Sequence, residues 1–267
     1  AGMTGGMAFV YDQNDEFEYE ADRFADISIM RYRIPGWDNF TLQQKTLLYF
    51  LSQAGMAGRD ILWDQNYKHN LRIRKVIEVI VEQYSGDRST ENFSAFMTWA
   101  KKVWFANGIH HHYSNNKFTP LFSAEYFATL LLDTEDLAGL PMDDGQSLDG
   151  LIALLTPVIF DQSVDAKKVN TAADVDKLLT SATNFYVGVT EAEAMAFYAE
   201  KINSDDTQPV AWGLNSQLTK DDDGEVVERI WKVGGMYGEA LAQVVIWLER
   251  AMTVTETDAQ RTALELL

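Results

Sequence analysis

The sequence lacks cysteine altogether, since none of its 267 residues is one. This absence excludes disulfides, thiolate zinc ligands and cysteine nucleophiles. No run of about 18 apolar residues is present, so we expect no membrane partner. The first residues, Ala1–Met7, also lack the charged and apolar regions of a secretory signal. The predicted compartment is the cytoplasm, with the bacterial periplasm as the alternative, because a cysteine-free chain folds in either redox environment.

Basic residues are scarce, because 22 Lys and Arg stand against 40 Asp and Glu, giving a net charge of −18. A nucleic-acid partner is not expected, since affinity for phosphates depends on clustered cations. The excess of acids favours solubility, with an acidic cleft for cationic ligands or free amino termini as the alternative. With 46% hydrophobic residues, the chain is long enough for one large domain or two modest ones.

Helical patterns dominate the chain. Pairs typical of helix starts occur at Thr41 with Gln44, Thr171 with Asp174, Thr190 with Glu193, and Thr257 with Gln260. Together with apolar residues three and four apart, they predict helices at 17–32, 41–51, 70–84, 90–105, 121–132, 151–160, 191–202, 241–252 and 257–267. We therefore expect a mainly α fold of the α+β class.

A small antiparallel β element is predicted around 210–233. Residues 210–218 and 226–233 alternate in polarity and contain β-branched and aromatic side chains, and the segment Lys220–Gly224 between them is typical of a hairpin turn. The run of three aspartates before Gly224 also invites a calcium interpretation. Aligning Gly224 with the sixth position of an EF-hand loop puts Ile230 at the twelfth, where a glutamate is needed, so the hairpin is preferred.

Three of the four histidines, His110, His111 and His112, follow the predicted helix 90–105 directly. Adjacent residues on a regular helix cannot point at one ion, and the zinc motif His-Glu-x-x-His is absent. A metal site is therefore disfavoured here. A loop that lines a pocket and a surface loop with satisfied histidines stay open as alternatives.

Two aspartates, Asp60 and Asp64, lie four residues apart and would share one face of a helix. Such a pair fits acid–base catalysis, but Arg59 beside Asp60 makes a structural ion pair an equal alternative. From its own residues, the chain contains no complete catalytic constellation.

Several segments are long or unusual in sequence: Phe17–Asp26, Leu51–Ala54, Gly58–Asp60, Asp64–Asn70, Val103–Ser114, Lys117–Pro120, Leu214–Ser216 and Gly234–Gly238. Through them the chain resembles the N-terminal part of the dipeptidyl peptidase III family of zinc exopeptidases, most closely its bacterial branch. The resemblance covers most of residues 17–267 and is weakest over 133–172.

The resemblance implies a two-lobed hydrolase that removes dipeptides from the amino terminus of short peptides. In this family one lobe holds zinc through His-Glu-x-x-x-His and a further Glu, and the other grips the substrate. This chain ends before that motif. We therefore expect residues 1–16 to be a tail and 17–267 to be a truncated substrate-binding lobe, inactive alone. Catalytic residues and zinc ligands would lie outside it, in the zinc-bearing lobe of the same protein.

The resemblance also implies where short peptides bind. In the family, the aromatic residue four positions before the Lys-Phe-x-Pro segment lines the cleft, and here it is Tyr113. Ser114, Asn115 and Asn116 follow it and are expected to hydrogen-bond a peptide backbone. An extended peptide would add to a sheet edge. The alternatives are a stand-alone helical peptide- or protein-binding module without activity, and a small metalloprotein using the histidine run.

Overall fold

The structure is a computed structural model that describes residues 3–4, 7–8, 20–30, 34, 36–203, 205 and 207–267. It divides into two compact units. The terminal unit combines Ala1–Leu62 with Ile230–Leu267, and the central unit is Trp63–Arg229. Helices dominate the described residues and the sheets are small, as the sequence predicts for a mainly α protein of the α+β class. The predicted boundary between a tail and a lobe near residue 17 lies outside the described residues.

The first described segments form short strands. β1 (Met3–Thr4) pairs with β2 (Met7–Ala8), and β3 (Glu20–Phe24) pairs with β4 (Ile27–Met30), both antiparallel. The predicted helix at 17–32 is therefore wrong over 20–30, and its other residues lie outside the described part. Phe24 pairs with Ile27 across a two-residue turn at Ala25, where φ is 51°. Their spacing of three thus belongs to a tight hairpin and not to a helical turn.

From residue 36 onwards, the residues that the structure describes form nine α-helices and one short 3₁₀ turn, Trp37–Asn39. In chain order the helices are α1 (Leu42–Ala57), α2 (Arg59–Asn66), α3 (Asn70–Gln83), α4 (Glu91–Ala106), α5 (Ala124–Leu132), α6 (Leu148–Phe160), α7 (Glu191–Ala199), α8 (Gly238–Met252) and α9 (Asp258–Glu265). Among the described residues, no helix combines the length and apolar character needed to cross a membrane.

Side-chain caps fix most of these helix starts. The hydroxyls of Thr41, Thr90 and Thr190 each accept the backbone N–H three residues on, and two of these caps are complete capping boxes. The predicted start at Thr171 is wrong, since residues 171–180 form turns. There the Asp176 carboxylate accepts backbone N–H groups from Leu178, Leu179 and Glu191, which offers the chain an alternative to a helix.

In the terminal unit, α1 packs against α8. The Trp247 ring contacts the rings of Tyr49 and Phe50, with centroids 6.3 and 6.1 Å apart. Gln43 Nε2 donates to the Thr255 carbonyl at 3.0 Å and so joins the start of α1 to the segment between α8 and α9. The last helix, α9, ends at Glu265 and does not continue through 267 as predicted.

The central unit has a continuous apolar core made by α3, α4, α5 and α6. Its largest fully buried side chains include Ile73, Ile77, Ile80, Phe96, Phe127, Leu130, Leu151 and Leu155. These residues lie three and four apart on their helices, so that one face of each helix points inward. A second, smaller core lies around Val189, Ala194 and Leu218.

The predicted hairpin is present as β5 (Ser216–Lys220) and β6 (Val226–Ile230), which form one two-stranded sheet. Its turn is closed by the Gly224 N–H, which donates to the Asp221 carbonyl at 3.0 Å. Asp221 Oδ1 also accepts the N–H groups of Asp223 and Glu225 at 3.1 and 2.9 Å. The first of the three aspartates therefore stabilises the turn itself.

Candidate functional site

The segment Asn107–Pro120, here called the histidine loop, begins at a tightly bonded turn. Asn107 ends α4 in the left-handed region with φ of 52°. The side chain of Asn70, which is fully buried, bridges this turn. Its Oδ1 accepts the Ile109 N–H at 3.1 Å, and its Nδ2 donates to the Asn107 carbonyl at 3.4 Å. Gly108 packs directly against this Asn70 side chain. A Cβ atom at position 108 would lie 2.6 Å from Asn70 Cγ.

The histidine loop then forms a narrow hairpin. His110 and Lys117 pair as an antiparallel bridge, and the His111 N–H donates to the Asn116 carbonyl at 2.8 Å. The chain reverses over residues 112–115, which form the tip. The tip therefore stands on two arms that are joined by backbone hydrogen bonds.

Backbone pairing continues from this hairpin across several segments, here called the backbone layer. Residues 115–117 bond to residues 166–168 with N···O distances of 2.8 and 3.1 Å. Residues 167–168 bond in turn to 182–183, at 2.9 and 3.1 Å. Residues 185–187 then exchange two bonds of 2.9 Å with Leu218 of β5. The loop and the predicted hairpin thus belong to one hydrogen-bonded layer, although most of its segments are too short to be strands.

Lys117 anchors the second arm of the loop. Its side chain is buried, and Nζ donates to the carbonyls of Val158, Asp161 and Val164 at 3.0, 2.5 and 2.5 Å. These carbonyls belong to the last turn of α6 and the residues after it, where backbone acceptors lack helical partners and the helix dipole is negative. A single ammonium group therefore ends α6 and fixes the histidine loop to it.

His110 is part of the support as well. It is 2% exposed, and its Nε2 lies 2.7 Å from the Asp165 carbonyl oxygen. Because a carbonyl only accepts, Nε2 carries the proton, and Nδ1 has no hydrogen-bond partner among the described residues. Tyr67 completes the cluster: its ring meets the imidazole edge-to-face, and its hydroxyl donates to Asp165 Oδ2 at 2.5 Å. Burial lowers the pKa of His110 to about 4.

This low pKa predicts an acid-sensitive stability. The unfolded chain takes up a proton at His110 near pH 6.5, whereas the folded chain does so only near pH 4. The contribution of His110 to the free energy of unfolding is therefore complete above its pKa in the unfolded chain. It is lost as the pH falls towards its pKa in the folded chain. Between pH 7 and pH 5 the loss of this contribution should lower the free energy of unfolding by about 2 kcal/mol.

Urea unfolding of the wild type and of His110→Gln at both pH values measures this. The variant should lose about 2 kcal/mol less than the wild type over that interval, because glutamine does not titrate. All other ionisable groups are the same in both proteins, so their contributions cancel in the comparison. An equal pH dependence in the two proteins would show that His110 is not the group responsible.

The other two histidines shape the tip. His111 Nδ1 accepts the N–H groups of Tyr113 and Ser114 at 3.1 and 3.2 Å. The His111 and His112 rings stack with centroids 4.5 Å apart. Within the described part of the chain, no three His, Asp or Glu side chains are placed to hold a metal ion together.

The four residues predicted to contact substrate lie together at or beside the tip. Tyr113 is 84% exposed, and Ser114 and Asn116 are also exposed, whereas Asn115 is half-buried. Two of them are partly used within the loop: Ser114 Oγ accepts the Asn116 N–H, and Asn115 Nδ2 donates to the Tyr113 carbonyl, both at 3.4 Å. Tyr113 therefore presents the largest exposed side chain of the tip.

The predicted aspartate pair has other partners. Both residues are on α2, as the spacing indicates. Asp60 Oδ1 lies 3.6 Å from Arg59 Nε, and Asp64 Oδ2 accepts a hydrogen bond of 2.9 Å from Asn184 Nδ2. These contacts favour the ion-pair alternative for Asp60 and a structural role for Asp64.

One polar cluster in the central unit is not apparent from the sequence. The Glu228 carboxylate of β6 accepts hydrogen bonds from Tyr198, Lys201 and Ser216 at 3.0, 2.6 and 2.9 Å. Burial opposes ionisation of this carboxyl, yet the three donors hold the pKa of Glu228 below its usual value. The cluster joins α7 to the hairpin, and it depends on residues up to 30 positions apart.

A cavity of about 490 Å³ opens beside α7 and is lined mainly by apolar side chains. We call it the α7 cleft. The one sequence signal for it is the spacing of Met195, Tyr198, Ala199 and Ile202, which places them on one helix face. Such a stripe normally marks a core, and only the structure shows that Met195 and Ile202 stay exposed, at 73% and 62%.

Comparison with protein-family models gives no match for this sequence. Comparison with curated proteins gives no match either.

Proposed function

We propose that this chain is the substrate-binding lobe of a zinc-dependent dipeptidyl peptidase resembling the dipeptidyl peptidase III family. The observation that supports this most is the construction of the histidine loop. Asn70, Gly108 and Lys117, all within segments of the family resemblance, are the residues that hold the loop, and the loop presents Tyr113 to solvent.

A rigidly held, exposed tyrosine suits peptide recognition. The arms of the loop are fixed by buried side chains and by backbone pairing, so binding needs little further ordering of the protein. The ring offers apolar area, and its hydroxyl offers one hydrogen bond. An extended peptide beside the tip would also meet backbone groups of the backbone layer, which matches recognition by strand addition.

The lobe would contribute binding and orientation only. The residues described here offer no set of ligands that fits zinc, so no catalytic step is assigned to them. In the proposed enzyme, zinc in the other lobe would activate water. This lobe would hold the peptide with its amino terminus towards that centre. We propose the cytoplasm as its compartment, with the bacterial periplasm as the alternative.

Replacing Tyr113 by alanine should weaken binding of short peptides. Losing one aromatic contact costs about 1–3 kcal/mol, which raises Kd by roughly 5- to 150-fold. Titration of the chain with a C-terminally labelled tetrapeptide that has a free amino terminus, followed by fluorescence anisotropy, measures this. Tyr49→Ala is the matched control, because among the residues that the structure describes Tyr49 is the other strongly exposed tyrosine, at 54%. Equal affinity of the wild type and Tyr113→Ala would contradict the proposed role of the tip.

The alternative, a peptide-binding module without enzymatic activity, rests on the same exposed tip. Release of dipeptides separates the two functions. The proposed enzyme requires chelator-sensitive dipeptide release by the protein that carries both lobes, and none by this chain alone. If peptides bind at the tip but the two-lobed protein releases no dipeptides, the binding module is the better description.

A further inference from the structure

The α7 cleft has the size and lining of a binding pocket. Its volume of about 490 Å³ lies within the range of small-ligand sites. Leu178 and Tyr186 line it together with Ala194, Met195 and Ile202 of the α7 region. Ala194 is buried, while Met195 and Ile202 are strongly exposed. The cleft is therefore an apolar depression open to solvent.

Polar groups in the wall already have partners within the protein. The Glu191 carboxylate accepts hydrogen bonds from the backbone N–H and from Nζ of Lys177, at 2.9 and 3.2 Å. The Tyr198 hydroxyl donates to Glu228 at 3.0 Å. A polar group placed in the cleft would lose water and gain few hydrogen bonds, so the geometry favours an apolar occupant.

Exposed apolar surface extends beyond the cleft. Gly213 lies against the Tyr198 hydroxyl, and the Trp212 ring lies 5.0 Å from Lys201 Nζ, so these two residues lie beside the end of α7. Within this segment Val210, Trp212 and Leu214 are 65%, 45% and 67% exposed. An apolar surface of this extent favours a polypeptide partner over an isolated small molecule.

The charge around the cleft indicates the character of that partner. Two acids of α7 are neutralised by lysines from elsewhere in the central unit, Glu191 by Lys177 at 3.2 Å and Glu193 by Lys220 at 2.7 Å. Lys201 is held by Glu228 at 2.6 Å. In the part of the chain that the structure describes, no cation lies within ion-pair distance of Glu200 or Asp205. The surface is thus complementary to positive charge.

We propose that the α7 cleft binds a basic peptide segment that inserts one large apolar side chain into the cavity. Lysine or arginine residues on either side of this anchor would face Glu200 and Asp205. The interaction is separate from the histidine loop and needs no free amino terminus, so it goes beyond the proposed peptidase function.

The test uses an acetylated and amidated peptide with a single tryptophan between lysine pairs. The full chain should bind it saturably, and more weakly as salt is raised, because the charges are exposed. Ala199→Trp fills the cleft and should raise Kd at least tenfold. Ala196→Trp, an exposed position on the same helix outside the lining, is the matched control and should bind like the wild type.

Further binding experiments distinguish the basic peptide from other ligands of the α7 cleft. Changing the peptide tryptophan to alanine should also raise Kd at least tenfold, whereas Tyr113→Ala in the protein should leave binding unchanged. The proposal fails if Ala199→Trp binds like the wild type, or if Tyr113→Ala abolishes binding, which would place the peptide on the histidine loop. It also fails if free indole binds as tightly as the peptide, since the cleft would then be a small-molecule site.

Discussion

Replacing Lys117 by methionine is expected to lower the free energy of unfolding by about 3–5 kcal/mol. Methionine keeps most of the volume of the side chain but removes the ammonium group. The carbonyls of Val158, Asp161 and Val164 then lose their shared donor at the end of α6. Each hydrogen bond to a charged group is worth roughly 1.5–3 kcal/mol, and buried acceptors left unpaired add to the loss.

Chemical denaturation of the two proteins measures the change, with Lys75→Met as the control. Lys75 is exposed on α3, so its replacement removes the same charge without removing a buried donor. The control should lie within about 0.5 kcal/mol of the wild type. A Lys117→Met protein as stable as the control would mean that water replaces the ammonium group at no cost. That result would contradict the role of Lys117 as an anchor of the histidine loop.

Replacing Gly108 by alanine is expected to destabilise the protein by about 4 kcal/mol. The new Cβ would lie 2.6 Å from Cγ and 2.9 Å from Oδ1 of Asn70. Asn70 is fully buried and cannot swing into solvent, so it would have to give up its bonds to Ile109 and Asn107. Positive φ at Gly108, 151°, adds backbone strain to the clash.

Gly145→Ala separates the clash from the strain. Gly145 also has positive φ, 76°, but no atom lies within 4 Å of a Cβ built there. Its alanine variant should lose about 1 kcal/mol, the cost of the backbone conformation alone. Thermal unfolding of both variants checks the difference. Similar losses for the two would show that contact with Asn70 is relieved by a small shift and does not hold the loop.

Neither Lys117 nor Gly108 would touch a peptide at the tip, yet both decide where Tyr113 stands. Their variants should therefore also weaken tetrapeptide binding at temperatures where the proteins are still folded. The stability of the central unit is thereby linked to the proposed function, since the position of Tyr113 depends on the buried residues that support the loop.

Local signals predicted much of the secondary structure. Thr41, Thr90 and Thr190 cap helices where their hydroxyls can reach the N–H three residues on, an interaction that needs only neighbouring residues. The hairpin at 216–230 was also predicted, because alternation and a turn with Asp and Gly act locally.

The failures occurred where one pattern fits two structures. The spacing of Phe24 and Ile27 suits a helical face and equally the ends of a two-residue turn, and strand pairing decided for the turn. At Thr171 a capping pattern is present, but Asp176 bonds to backbone N–H groups as far away as Glu191. Sequence patterns do not contain that partner.

The histidine run shows the same difference between what local sequence patterns predict and what tertiary contacts decide. The sequence indicated a loop after α4 and a candidate residue at its tip, Tyr113, through the family resemblance. It gave no sign that His110 would be buried against Tyr67 and Asp165, or that Lys117 would hold the end of α6.

By itself, then, the sequence determined the helical class, the helix starts with threonine caps and the position of the histidine loop. Each of these depends on interactions within a few residues. The tertiary structure alone decided that His110 and Lys117 support the loop, that Glu228 joins α7 to the hairpin, and that the α7 cleft is open. The roles of His110, Lys117 and Glu228 depend on hydrogen bonds to residues up to 55, 47 and 30 positions away, and only packing brings such residues within hydrogen-bond distance.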